Sequence, residues 1–451
     1  MIFAIENIRV LAPGRPKLWL CRLLFVLLLI LVPRGLAAAE TTPTFTRDIL
    51  PILQQRCQTC HRPDQVAPMS FLTYEEVRPW VKSIRKVVHE RTMPPFHAAG
   101  PLGRYRDDPR LTDAQIETIL DWAERGAPRG NPQDAPLAVD WNAPAGAVAE
   151  PDLVLKFGGY TTNPQNADAY VAFISEHVFP EDTWLESIEI KPADMSLVHH
   201  AALYAVPKSM AVLEPALETG FLATKSSIPA LMKNHLLTWL PGQGPRERKG
   251  GQGFLIEAGS RLVIDAHISP TEETTPVAIA LRMRYVEGIL DRETKNKPFR
   301  VTDIDIPAHE SRYVRSGFRK FGREVTIFGF NVHMHLRGKS SRFVLHLPNG
   351  RSGTVFEIPK WDFNWQREYY LTTPIVVPRG TRVEYIAEWD NSAANPFNPD
   401  PSRRVEFGAQ TEDEMYGGRV LYHYPREESL VVRAGRQVEV IDVQAPATDE
   451  D

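Results

Sequence analysis

The sequence predicts a multidomain protein, a small all-α domain followed by two antiparallel β-sandwich (jelly-roll-like) domains. Three observations carry this. Helical apolar spacing runs from residue 40 to about residue 130, a Pro- and Ala-rich stretch without apolar period covers 131–150, and beyond Pro151 the chain turns to short alternating runs separated by Pro, Gly, Asn and Asp. With 451 residues, 43% of them hydrophobic, the chain is long enough for more than one core.

Residues 1–39 read as a secretory signal peptide. Arg9, Arg15, Lys17 and Arg22 precede the apolar run Leu23 to Val32, and Ala37, Ala38 and Ala39 supply small residues for cleavage before Glu40. A retained membrane anchor is the other reading, but this run is well short of the roughly 20 apolar residues that span a bilayer. The expected location is periplasmic or secreted, with membrane contact only through this segment if it is uncleaved.

In the helical region, residues 40–130, Ile49, Ile52 and Leu53 share one face and Val77, Val81, Ile84 and Val88 another. A further helix is marked by a capping-box pair, Thr112 and Gln115, an apolar stripe of Ile116, Ile119, Leu120 and Ala123, and a stop at Gly126. Residues 131–150 are expected to be a linker. Strands are expected at Leu153 to Phe157, Tyr170 to Ser175, Arg261 to Ile268, Val277 to Val286, Glu324 to Phe330 and Arg382 to Trp389. This length exceeds one sandwich, so two are expected, at 151–295 and 296–447. The break is placed near Asp291 to Pro298, where charged and polar residues displace the alternation.

The 56 acidic and 52 basic residues form no long block of either sign, which argues against nucleic acid as a partner. Of three cysteines, Cys21 lies in the signal segment, leaving Cys57 and Cys60. They stand in Cys57-Gln58-Thr59-Cys60-His61, the attachment signature of a covalent haem c: two thiols for the vinyl groups and an imidazole, His61, for the iron. A thioredoxin-like redox pair would need a strand-to-helix setting instead. Met93, in Arg91-Thr92-Met93-Pro94-Pro95, is the expected sixth ligand, with Met69, His89 and His97 as rivals; a thioether there raises the reduction potential. The stretch resembles bacterial cytochrome c modules fused ahead of oxidative enzymes, which makes 40–130 an expected cytochrome c domain.

Three histidine groups follow: His199 and His200, His267, and His333-Met334-His335. Alternate strand residues face one side, so His333 and His335 can grip one ion. Adjacent His199 and His200 can do so only at a strand end or a bulge. Taken singly, each group also suits a hydrogen-bonded core or a strand surface.

Together with Leu197-Val198-His199-His200-Ala201, Ala266-His267, Val332-His333-Met334-His335-Leu336-Arg337-Gly338-Lys339 and Thr411-Glu412-Asp413-Glu414-Met415, the order resembles the copper type II, ascorbate-dependent monooxygenases, the family of the peptidylglycine α-hydroxylating and dopamine β-monooxygenases. The resemblance spans about Pro151 to Val443. It implies two copper ions, one on His199, His200 and His267 that supplies electrons and one on His333, His335 and Met415 where dioxygen reacts. A thioether suits Cu(I) and is an odd choice for zinc. Met415 lies in an acidic, Gly-flanked stretch, Glu412 to Gly418, whose composition is that of a poor core segment.

The chain departs from the family on the substrate side. Asn331 stands where peptidylglycine members have an Arg two residues before the His pair, and Gly417 and Arg419 stand where they have Asn and Tyr after the methionine. Before the third His the family usually reads Gln-x-His-Tyr, and this chain reads Asp265-Ala266-His267-Ile268. The resemblance implies a monooxygenase that hydroxylates a C–H bond of a small-molecule substrate with O₂. Its electrons would come from the fused haem or an external donor. The rival expectation is a non-enzymatic periplasmic copper-binding and electron-transfer protein.

Overall fold

Helices come first because the N-terminal region spaces its apolar residues by turns. The computed structural model describes residues 42–442 apart from 142–147, 149, 166–168, 208–212, 214–216, 225–230, 232–233, 249 and 409, so the signal segment expected at 1–39 lies outside the described residues. No described helix is long and apolar enough to cross a membrane. The helices are α1 (Leu50–Arg56), α2 (Tyr74–Val77), α3 (Val81–His89) and α4 (Asp113–Glu124). At the start of α4, Thr112 N donates to Gln115 Oε1 at 3.0 Å and Gln115 N donates to Thr112 Oγ1 at 3.1 Å, the reciprocal cap that its sequence signals. Gly126 then takes φ +85°, a conformation that favours glycine. Ile49, Ile52, Leu53, Val77, Val81, Ile84, Val88, Ile116, Ile119 and Trp122 form one apolar cluster among these helices.

Part of this region is built into the sheets. Ala99 N donates to Glu357 O at 2.8 Å, Arg106 N to Tyr370 O at 2.8 Å, and Thr372 N to Arg104 O at 3.0 Å. Ala98 and Tyr105 are buried in the same core as Phe356 and Tyr369. The segment expected to link the regions is also pinned: Gln54 Nε2 donates to Leu137 O at 3.0 Å, and the Arg62 guanidinium lies 4.4 Å over the ring of Trp141. The helical region is thus docked as well as tethered, by backbone bonds that its composition does not announce.

Beyond residue 151 the structure is mostly β-sheet, in an arrangement consistent with β-sandwich domains. Numbered in chain order, the largest sheet has ten strands and runs β1 (Leu153–Phe157), β10 (Ile279–Tyr285), β3 (Thr183–Pro192), β21 (Arg436–Asp442), β20 (Tyr416–Arg433), β14 (Val325–His333), β17 (Glu368–Val377). Its remaining strands, β7 (Arg246–Glu247) and β8 (Phe254–Ile256), pair with β3, and β11 (Gly288–Val301) pairs with β20. A five-stranded sheet runs β5 (Phe221–Thr224), β2 (Ala169–Val178), β9 (Ser260–Ile268), β4 (Val198–Pro207), β6 (His235–Trp239). A four-stranded sheet runs β13 (Tyr313–Lys320), β18 (Arg382–Trp389), β15 (Gly338–His346), β16 (Ser352–Ile358), and β12 (Asp305–Ile306) pairs with β19 (Val405–Glu406).

Alternation explains the layers. Inward residues of β1, β3 and β10 share a core with those of β2, β4, β6 and β9. Those of β14, β17 and β20 share a second core with β15, β16 and β18. The two halves of the long sheet meet at the pair Arg436↔Thr183. The break expected near 291–298 falls inside β11. Most side chains from Asp291 to Lys297 are exposed or half-buried, and this solvated strand loses the apolar alternation for that reason while remaining hydrogen-bonded to β20.

Candidate metal centre

His199 and His200 reach one place because the strand is irregular there. In the β4–β9 ladder the register shifts between Val198 and His200, and His200 pairs with His267. The Nδ1 atoms of His199 and His200 lie 3.1 Å apart, and one ligand nitrogen from each of His199, His200 and His267 falls within 4.8 Å of the others. Two imidazole nitrogens on one ion, each at about 2.0–2.1 Å from it, stand roughly 3–4 Å apart, so this triad fits a metal. Tyr170, the ladder partner of His267, stacks on its ring at 4.5 Å. Burial pushes the pKa of His200 well down, and His267, His199, His333 and His335 push it further the same way, which keeps it a neutral ligand.

His333 ends β14 and His335 follows it, with Met334 between them turned into the core. Their ring centroids are 5.1 Å apart. Each ring is held by Nδ1: His333 against Gln366 Oε1, and His335 against the carbonyl of Asp413 at 3.1 Å. With Nδ1 committed as donor to oxygen, Nε2 carries the lone pair on both rings. The β14–β20 ladder ends at His333↔Gly417, and just beyond it the backbone N–H groups of Met415 and His335 both donate to Glu414 Oε2, at 3.3 and 2.9 Å.

The stretch around Met415 is core, contrary to what its acidic composition suggests. Glu414 and Met415 are buried, at 0% and 5% exposure. The reason is that Glu414 accepts from the backbone N–H groups of His335 (2.9 Å) and Arg337 (2.7 Å) and from Trp389 Nε1 (2.9 Å). Burial pushes its pKa up to about 7 against the pull of those donors. Arg337, also fully buried, donates to Asn391 Oδ1 and to the carbonyl of Glu412, both at 2.8 Å.

Phe363 touches both histidine sets. Its ring stacks with His199 at 6.3 Å and meets His335 edge-on at 6.1 Å. Gln366 fixes this ring's backbone, donating from Nε2 to Phe363 O at 3.0 Å. Neither residue stands out in the sequence, because Trp361 to Tyr370 reads as an aromatic loop and strand start without metal-ligand spacing. Arg419 was noted in the sequence only as a departure. It is the ladder partner of Asn331 and donates to Asn331 Oδ1 at 3.1 Å, so a guanidinium stands across the strand pair from position 331.

Cys57 and Cys60 are unpaired thiols in the turn after α1. Burial, then Cys60, pushes Cys57 up to about 12, and burial raises Cys60, the opposite of a reactive redox thiol. His61 stacks on Phe71 at 4.3 Å, and its Nδ1 lies 3.3 Å from Met69 O, leaving Nε2 for another partner. Burial lowers its pKa. Met93 is 39% exposed on the turn after α3, while Met69 packs against the helical cluster. Of the other rivals, His89 is exposed, and His97 is half-buried with Nδ1 lacking a hydrogen-bond partner.

No family model matches this chain, and no curated protein matches it. Solved structures resemble it distantly. The major capsid protein P2 of bacteriophage PM2 is 10% identical, with 61% of this chain and 98% of that chain covered and a TM-score of 0.24. The VP2 subviral particle protein of infectious bursal disease virus is 7% identical over 61% of this chain and 81% of that one, with a TM-score of 0.16. A two-domain protein of unknown function from Bacteroides fragilis is 9% identical over 62% and 99%, with a TM-score of 0.13. Likenesses this low bear on neither fold family nor function.

Proposed function

We propose that the chain is an exported copper monooxygenase of the kind its histidine motifs resemble, with 40–130 a cytochrome c domain and 151–295 and 296–447 two jelly-roll-like sandwiches. The observation that carries this is the convergence of His199, His200 and His267 on one point, with Phe363 in ring contact with both His199 of that set and His335 of the second. The donor set suits copper: three imidazoles at one centre, and at the other two imidazoles with a methionine, Met415, whose backbone shares the Glu414 carboxylate with that of His335. Copper held there would supply one-electron redox chemistry and dioxygen activation. The reaction takes R–H, O₂, two electrons and two protons to R–OH and water.

The chain's own residues do the positioning. Gln366 and the Asp413 carbonyl aim Nε2 of His333 and His335, Glu414 locks the backbone of His335 and Met415, and Tyr170 braces His267. Cys57, Cys60 and His61 would hold the haem, which would take electrons from an external donor.

Metal analysis and an optical spectrum of the mature protein test this, with one haem and two coppers per chain expected. Substrate-dependent oxygen uptake separates it from the second reading, a periplasmic copper-binding electron carrier, which the altered residues at 331 and 417 favour. The carrier consumes no oxygen with any substrate.

A further inference from the structure

Gln366 and Arg367 are neighbours in sequence that serve two different parts of the molecule. Gln366 is buried, and its side chain meets His333 Nδ1 and the carbonyl of Phe363. Arg367 reaches the helical region instead: its Nη1 donates to Pro95 O at 3.4 Å, and its guanidinium lies 5.5 Å from the centre of the Phe96 ring. The Phe96 ring also takes the guanidinium of Arg110 at 4.7 Å and meets Tyr369 edge-on at 5.3 Å. The segment that carries both residues is pinned at each end. Trp361 Nε1 donates to His335 O at 3.1 Å, Glu368 is the ladder partner of Asn331, and Asn331 Nδ2 donates to Arg367 O at 3.3 Å. Within it, Trp365 N donates to Asp362 O at 3.1 Å and Arg367 N to Trp365 O at 3.0 Å, so Gln366 sits in a tight turn whose backbone moves with Arg367.

We propose that Arg367 is a positioning residue that couples docking of the helical region to the orientation of His333. With Pro95 and Phe96 in place, Arg367 is anchored, Gln366 is presented to His333, and the imidazole keeps its proton on Nδ1. With the helical region lifted away, the guanidinium loses Pro95 and Phe96, and Gln366 is released to turn from His333. For copper the proposal rests on the reading of His333 as a ligand, since a proton fixed on Nδ1 leaves the Nε2 lone pair for the metal. Coupling of this kind is reciprocal, so a metal held at His333 favours the docked helical region in return.

The test reads His333 directly in the full-length, metal-free protein. Nitrogen-15 spectra of labelled histidines, taken at about pH 8 where an ordinary imidazole is neutral, should show His333 as a single Nδ1–H tautomer in wild type. Phe96→Ala changes the helical region and no histidine, yet it should give averaged tautomer shifts at His333 while His199 stays as it was. Arg367→Met should do the same, and Arg367→Lys, which keeps a cation near Phe96, should restore the wild-type signal. Where Phe96→Ala fails to fold, Phe96→Leu retains apolar bulk and still removes the aromatic face. After copper loading, Phe96→Ala and Arg367→Met should each weaken copper at His333 and His335 by about 3- to 30-fold in chelator titrations, with copper on the His199 triad unchanged. The double variant should be no weaker than either single one, because both break the same link. An unchanged His333 tautomer in Phe96→Ala and Arg367→Met would overturn the proposal and leave the copper reading intact. Averaged tautomers in variants of a protein that takes up no copper would support the coupling and remove the copper reading.

Discussion

His333 gives its Nδ1 proton to Oε1 of Gln366, and the direction of that bond is fixed by the other end of the same amide. Gln366 Nε2 donates to the carbonyl of Phe363 at 3.0 Å, so Oε1 must face the imidazole. One side chain thus sets the tautomer of a proposed ligand and anchors the ring that touches both histidine sets.

Gln366→Leu should therefore lower copper affinity at His333 and His335 about 10- to 100-fold, the usual effect of removing a partner that orients a ligand. Copper on the His199 triad should be unchanged. Competitive chelator titrations followed by Cu(II) electron paramagnetic resonance resolve the two; equal weakening at both centres contradicts the assignment.

Gly417 lets β20 approach His333 closely. A Cβ there would stand 2.9 Å from His333 Cβ and 3.2 Å from its carbonyl oxygen. Gly417→Ala should displace His333, cost about 1–3 kcal/mol of stability as overpacking does, and reduce copper from two to one per chain. Thermal melts and metal analysis check both effects, and a variant with full stability and two coppers contradicts the geometry.

Much of this was legible in the sequence where local chemistry decides the structure. The Leu153 to Phe157 alternation is β1 and the Arg382 to Trp389 alternation is β18, because each strand has one buried and one less buried face. Side-chain period alone requires a strand end or a bulge at His199 and His200 if both are to ligate, and the ladder shifts register between Val198 and His200. What sequence could not reach is set by distant partners. Tyr105 is core because of Phe356 and Tyr369, and Met415 is buried beside Glu414, which finds its donors in the turn between β14 and β15. Gln366 matters only because folding brings it to His333.

Burial pushes the pKa of His235 well below its ordinary value, and Arg419 and Arg248 push it further down. Its Nε2 lies 2.9 Å from Thr238 Oγ1 and its ring meets Tyr204 edge-on at 5.6 Å. In the unfolded chain this imidazole takes a proton near pH 6.5, while the folded one resists. The unfolded state then binds more protons, so stability falls as pH drops from about 6.5 towards the depressed folded pKa, by up to about 1.4 kcal/mol per pH unit. His235→Gln should flatten that slope by about one proton in denaturant melts at pH 5 to 7. An unchanged slope contradicts the assignment of the acid sensitivity to this residue.

Tyr105 joins the helical region to the β core, with ring contacts to Phe96 at 5.6 Å, Tyr369 at 5.9 Å and Phe356 at 6.1 Å. Tyr105→Ala should cost about 3–5 kcal/mol, as loss of a buried aromatic does. Because Ala98 and Tyr105 belong to the β core, helical and β signals should melt together in wild type. In the variant the helical signal should separate and melt first, and coincident melts in both would contradict the docking role.

The same docking decides how electrons would pass from the proposed haem to the proposed coppers. A tethered carrier works by effective concentration, which falls as its linker lengthens. Here, however, Ala99, Arg104 and Arg106 fix the helical region to β16 and β17 by backbone hydrogen bonds. A Cβ on Gly242 would stand 2.7 Å from Cys60 Sγ, so the attachment turn lies directly against the loop after β6. Inserting ten Gly and Ser residues after Ala135 should therefore leave the rate of haem oxidation unchanged when the anaerobically reduced, copper-loaded protein meets oxygen and substrate in stopped flow. Gly242→Val should slow it by pushing Cys60 away, with the haem spectrum retained. The His199→Ala control should also slow oxidation if the triad lies on the route. A rate that falls with the insertion would mean the haem works from the end of a tether. Equal rates in wild type and His199→Ala would remove the His199 triad from the electron path.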